Sequence, residues 1–168
     1  MQITDIYFTT LEHSNMSKYI HSMFLKSFRK EWYDTYFLID LHGTIIKPDY
    51  KLEKIIEYYS YAKEAMQLIS KRKDIVKIMW TCSNLDEINF YNEQFKKDNI
   101  LFDKINENDN ISSRNGNFGH YDRKMYANII IDDKAAFDPE VEWKYIYSLF
   151  KAYETYNVLP DSNWTTKY

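Results

Sequence analysis

Residues 36–39, Tyr36-Phe37-Leu38-Ile39, form an apolar run that stops at an acid, Asp40. The run has no polar face and is too short for a helix. It fits a strand buried on both sides, the kind found inside a parallel sheet. The pattern returns twice. Ile75-Val76-Lys77-Ile78-Met79-Trp80 leads into Thr81, and Asn128-Ile129-Ile130-Ile131 leads into Asp132 and Asp133. Stretches of helical period separate these runs. Alternating strands and helices imply an α/β fold with right-handed crossovers, here expected as a three-layer Rossmann-like parallel sheet. The polar ends of the runs then gather on one edge of the sheet, the edge where open α/β sheets bind ligands.

Taken in order, residues 1–13 alternate weakly and predict an edge strand. Met16, Tyr19, Ile20, Met23, Phe24, Phe28 and Trp32 fall on one stripe and predict a helix over 15–33, capped by Ser14 or Asn15. A strand is expected at 35–40, then a turn at Pro48-Asp49. Leu52, Ile55, Ile56, Tyr59, Ala62, Met66 and Ile69 predict a helix over 52–72, with Lys71, Arg72 and Lys73 suiting its C-terminus. Asn84 and Glu87 have capping-box spacing for a helix running to about 97, with Leu85, Ile88, Tyr91 and Phe95 inward. Residues 102–105 read as a short strand, and 106–120 as a mobile loop. Asp138-Pro139 suits the start of a last helix reaching about 156, with Val141, Tyr145, Ile146, Leu149 and Tyr153 inward. The expected organisation is an N-terminal extension (1–34, edge strand plus helix) packed on the core, an α/β domain over 35–157, and a polar tail over 158–168.

The net charge of −3 gives no basic footprint, so long nucleic acid is the least attractive partner. A single cysteine, Cys82, rules out an internal disulfide and a cysteine metal cage. It fits a reducing compartment. With no long apolar run, a cytoplasmic protein without a membrane span is expected.

The chemistry that these polar ends suit is phosphoryl transfer. A bare carboxylate is repelled by a phosphate dianion. A divalent cation held by Asp40 and Asp132 offsets that repulsion, and oxygen donors without a Cys or His cluster favour Mg²⁺. The Thr81 hydroxyl and Lys124 are placed to bind phosphoryl oxygens, with Arg123 as the rival cation. Asp40 would attack phosphorus and form an aspartyl-phosphate.

Asp40-Leu41-His42-Gly43-Thr44 resembles the D-x-D-G-T signature of the haloacid dehalogenase-like (HAD) phosphatase superfamily, with His42 at the second Asp. The order along the chain is also similar to the four motifs of that family: first a lone Asp, then a Thr, a Lys and an acidic pair. The resemblance covers about residues 35–140 and implies a Mg²⁺-dependent phosphomonoesterase. In it Asp40 is the nucleophile, Thr81 the second motif, Lys124 the third, and Asp132-Asp133 the fourth, with Asp132 favoured as direct ligand. The residue at the His42 position contributes its backbone carbonyl to the metal, and its side chain protonates the leaving alkoxide. An imidazole is suited to proton exchange near neutrality.

The resemblance also implies a capless or minimally capped site, since neither interval that carries family caps is long enough for a cap domain. Such an open site suits a small phosphorylated molecule or a macromolecular phosphate end, with the loop 106–120 as a small lid. The alternative is a non-catalytic module that binds phosphate or a partner through a degraded site, using the aromatic stripe at 16–32. That stripe is also the candidate surface for a homo-oligomer.

Overall fold

A computed structural model describes residues 9–48, 56–107 and 125–156. Four of the five expected strands are present: β1 (Thr35–Ile39), β2 (Ile75–Met79), β3 (Lys104–Ile105) and β4 (Ile129–Ile131). They form one all-parallel sheet in the order β3-β2-β1-β4. This is an α/β architecture compatible with a Rossmann-like fold. The central strands are buried at residues of both parities, which accounts for their unbroken apolar sequences.

The strands are accompanied along the chain by helices α1 (Asn15–Arg29), α2 (Ala62–Ser70), α3 (Leu85–Lys97) and α4 (Glu142–Tyr156), of which α1 packs on β1 and α2 on β2. One core joins Phe37, Ile39, Met79, Ile129 and Ile131 of the strands to Ile20 and Phe24 of α1, Met66 and Ile69 of α2, Phe95 of α3, and Trp143, Ile146 and Phe150 of α4. Those strand residues share one face by the two-residue period. The other face carries Leu38 and Ile78, both buried, and Ile130, which is 47% exposed. Helix α4 lies against both α2 and α1. Phe24 anchors that contact, with its ring edge-on to Phe150 and Tyr153.

Several sequence expectations need correction. Residues 9–13 are helical rather than part of an edge strand, while 1–8 lie outside the described residues. Of the helix expected over 52–72, residues 52–55 lie outside the described residues, 56–61 are not helical, and the helix runs over Ala62–Ser70. Before it, 57–59 run antiparallel to 45–47: Lys47 N–H donates to Glu57 O at 2.8 Å and Tyr59 N–H to Ile45 O at 3.1 Å. Ile56 and Tyr59 therefore meet the core from extended chain, a role that short apolar spacing does not separate from helix. Tyr61 then takes a left-handed turn, φ 65°, to start α2. The last helix begins at Glu142. Asp138 caps the preceding turn, its Oδ1 accepting from Glu140 N–H at 3.0 Å.

Tyr19, Phe28, Trp32, Leu85 and Val141, all expected inward, are exposed. The apolar stripe of α1 narrows to Ile20, Met23 and Phe24, because among the described residues this helix packs toward β1 and α4. Other expectations hold. Ser14 caps α1 by accepting from Ser17 N–H at 2.8 Å. Asn84 and Glu87 form the reciprocal capping box of α3, a feature worth about 1 kcal/mol. No helix among the described residues is long and apolar enough to cross a membrane. The tail from 157, the loop at 108–120 and Lys124 lie outside the described residues.

Candidate active site

Register alone brings the first acids together. Ile39 pairs with Ile131, so the next residues, Asp40 and Asp132, emerge side by side at the carboxyl edge of β1 and β4. Asp40 N–H donates to Ile131 O at 2.9 Å and extends that pairing. Asp133 follows on a short 3₁₀ turn, Asp133–Ala135, which Asp132 caps through Lys134 N–H at 2.8 Å. One carboxylate oxygen from each of Asp40, Asp132 and Asp133 lies within 4.8 Å of the other two. Oxygens bound to a hard dication sit about 2.0–2.6 Å from it, so three donors at this spacing fit one ion. The donor set suits Mg²⁺, Mn²⁺ and Ca²⁺ alike.

The turn after β1 holds this cluster in place. Leu41 O accepts from the N–H groups of Thr44, Ile45 and Ile46, at 3.3, 2.9 and 3.0 Å. Gly43 has φ +79°, and a Cβ there would lie 2.9 Å from Asp133 Oδ2. Only glycine lets the turn pass this close to the acid. Thr44 is fully buried and links the two acidic strands. Its hydroxyl donates to Asp40 Oδ2 at 3.0 Å and accepts from Asp133 N–H at 3.0 Å. Its carbonyl accepts from the indole of buried Trp143 at 2.7 Å.

Burial raises the Asp40 pKa above the usual carboxylate range. The Leu41 N–H and the Thr44 hydroxyl oppose that rise. The neighbouring Asp132 charge adds to it, and Lys134 lowers it. Lys134 donates to Asp133 Oδ1 at 2.9 Å, and that bond lifts its own pKa. An Asp40 carboxylate that is costly to ionise without a counter-ion is one that a dication would stabilise.

The other sequence candidates divide. Thr81 stands on the same sheet edge, nearly buried, and its backbone is clamped by Asn106 at 2.8 and 2.7 Å. Its hydroxyl pairs with Ser83, at 3.2 Å to both Oγ and N–H. The His42 ring turns to α3, with Nε2 3.0 Å from the Tyr91 hydroxyl and the rings edge-on at 4.9 Å. Its ring nitrogens are not part of the acidic cluster. Lys124 falls outside the described residues.

The sequence alone suggests no role at the site for Thr44, Lys134, Asn106 or Trp143, and for Tyr91 only its inward place on α3. The first two had local signals, Thr44 within the loop after Asp40 and Lys134 directly after the acidic pair. The other three are brought in only by the fold.

If the cluster takes a dication, Mg²⁺ or Mn²⁺ at ten times its Kd is expected to raise the Tm by about 3–6 °C for a chain of this size. Asp132→Asn should erase the rise. An equal shift in that variant, read by differential scanning fluorimetry, would place the ion elsewhere.

Comparison of the chain with family models, with curated proteins and with solved structures finds no match.

Proposed function

We propose that the protein is a divalent-cation-dependent phosphomonoesterase of HAD-like type that works through Asp40. The observation that carries this reading is the meeting of Asp40, Asp132 and Asp133 at the carboxyl edge of a parallel sheet, with Thr44 fixing one Asp40 oxygen. Asp40 Oδ2 is engaged by Thr44, which leaves Oδ1 as the attacking atom. As that oxygen bonds to phosphorus, the ester P–O bond breaks and the leaving oxygen takes a proton. Water then cleaves the aspartyl-phosphate, releases phosphate and restores the carboxylate. Asp40, Asp132 and Asp133 would hold the ion, Mg²⁺ or a similar hard dication, which would supply positive charge against the incoming dianion. Thr81 and Lys124 are assigned the phosphoryl oxygens by their order along the sequence, as in the family the chain resembles, and Thr81 must then turn its hydroxyl away from Ser83.

His42 is assigned the proton to the leaving group. With Nε2 on Tyr91, Nδ1 is the ring atom left for that exchange. Aryl phosphates have good leaving groups and need little help. His42→Ala is therefore expected to keep most aryl phosphatase activity and to lose about 10²-fold or more on alkyl phosphates. Equal losses on both would make His42 a positioning residue instead.

The test of the whole reading is p-nitrophenyl phosphate hydrolysis with Mg²⁺ and with chelator. Turnover that needs the ion supports it. The tie between His42 and Tyr91 favours one second reading, a module that binds phosphate without turning it over. Saturable phosphate binding with no hydrolysis of any ester would select that module.

A further inference from the structure

We infer that Trp80 is the specificity-determining residue of this site and that it stacks on the base of a mononucleotide substrate; the inference rests on the phosphatase reading. Register supplies the geometry. Leu38 pairs with Ile78 on one side and with Ile130 on the other. Two residues on, the same three strands carry Trp80, Asp40 and Asp132, in that order across the sheet edge and on the same face by the strand period. Pairing continues to this level, with Trp80 N–H donating to Ile39 O at 2.8 Å. Trp80 therefore stands one strand spacing, about 4.8 Å, from the backbone of Asp40.

Trp80 is 39% exposed, and among the described residues its indole makes no hydrogen bond or ring contact. The other buried or half-buried aromatics of the core are paired, as Phe95 is with Tyr58 and Phe102, and Phe137 with Trp143. Ile130, two residues before Asp132 on the same face, is also exposed. Apolar surface thus flanks both acids where a bound ester would leave the site.

The acidic pair sets the direction of exit. The β4 side is occupied by Asp132 and Asp133, which the ion would engage. The β2 side offers Trp80 and, after the loop, exposed Leu85. A leaving group that uses this side meets a flat aromatic face with few polar atoms to spare. Asn84 Oδ1 is committed to Glu87 N–H at 3.0 Å. A sugar alone would need hydroxyl partners there. A nucleobase needs only stacking, and every base has a π face. The net charge of −3 favours a mononucleotide over a polymer.

The experiment pairs kinetics with calorimetry, using AMP, glycerol 2-phosphate, phosphotyrosine and inorganic phosphate against wild type, Trp80→Ala and Trp80→Phe. For wild type, AMP is expected to bind more tightly than inorganic phosphate by about 5- to 100-fold. Trp80→Ala should remove that margin and raise KM for AMP by the same factor, with kcat nearly unchanged. Glycerol 2-phosphate kinetics should not move, and Trp80→Phe should recover most of the margin. Equal binding of AMP and phosphate by wild type, or an unchanged AMP KM in Trp80→Ala, overturns the inference while the phosphatase reading stands. A stronger preference for phosphotyrosine than for AMP overturns the nucleotide assignment. Failure to hydrolyse any of the esters overturns the phosphatase reading and the inference with it.

Discussion

Replacing Asp40 with Asn is expected to lower kcat on p-nitrophenyl phosphate by about 10⁴-fold or more, the scale on which loss of a covalent nucleophile acts. That is on the order of 5.5 kcal/mol in the barrier. The amide is close in size to the carboxyl and can still accept from Thr44, so the turn should persist and the loss should be chemical. Stability gives the control. Burial raises the Asp40 pKa in the folded chain, so ionising Asp40 costs folding free energy when no cation is present. For a raised carboxyl, the favourable contribution is complete below the unfolded pKa and is lost as pH rises through the folded one. In chelator at pH 7 to 8, Asp40→Asn should therefore melt above wild type. The gap should close on acidification below the ordinary aspartate range, where the wild-type carboxyl is protonated in both states. With saturating Mg²⁺ the order should reverse, because wild type gains the ion. Residual activity above about 1% with an intact fold would assign the attack to another group or to water.

The parts of this site that were legible in the sequence are those set by strand register. Asp40 and Asp132 each follow a short apolar run directly, and a parallel pair in register has to bring such residues together. The capping boundaries at Ser14 and Asn84 were legible for a similar reason, since a cap is a local hydrogen bond within a few residues. The segment before Ala62 was not. Its apolar residues follow a helical spacing, yet the bridge from Tyr58 to Ile46 fixes it as extended chain, and that partner is distant in sequence. Leu85 and Val141 misled for another reason. Each lies at the start of a helix, where the period continues but the side chain stays exposed. Trp143 carried no functional signal at all. Its contribution depends on α4 packing down onto the turn after β1, a contact between residues 99 apart.

That contact carries the second large effect. Trp143→Ala is expected to destabilise the protein by about 4 kcal/mol, from the lost burial of a large aromatic plus a carbonyl left without its donor. For a chain of this length the Tm should fall by about 8–16 °C. Trp143→Phe separates the two components. The benzyl ring refills much of the space and keeps an edge contact with Phe137, so the loss in stability should be about 1–3 kcal/mol. Thr44, however, then loses the indole N–H that holds its carbonyl. Its hydroxyl is shared between Asp40 Oδ2 and Asp133 N–H, so any shift of Thr44 moves the nucleophile and the acidic pair together. A displacement approaching 1 Å at reacting atoms costs about 10²-fold in rate, so Trp143→Phe should lose at least about 10-fold in kcat at a temperature where it is fully folded. The shift in Tm induced by Mg²⁺ should shrink in parallel, because the same threonine spaces the carboxylates. A Trp143→Phe protein with reduced Tm but unchanged kcat and unchanged metal response would mean that the turn holds itself, through Leu41 O and the left-handed Gly43, and that α4 adds stability without shaping the site.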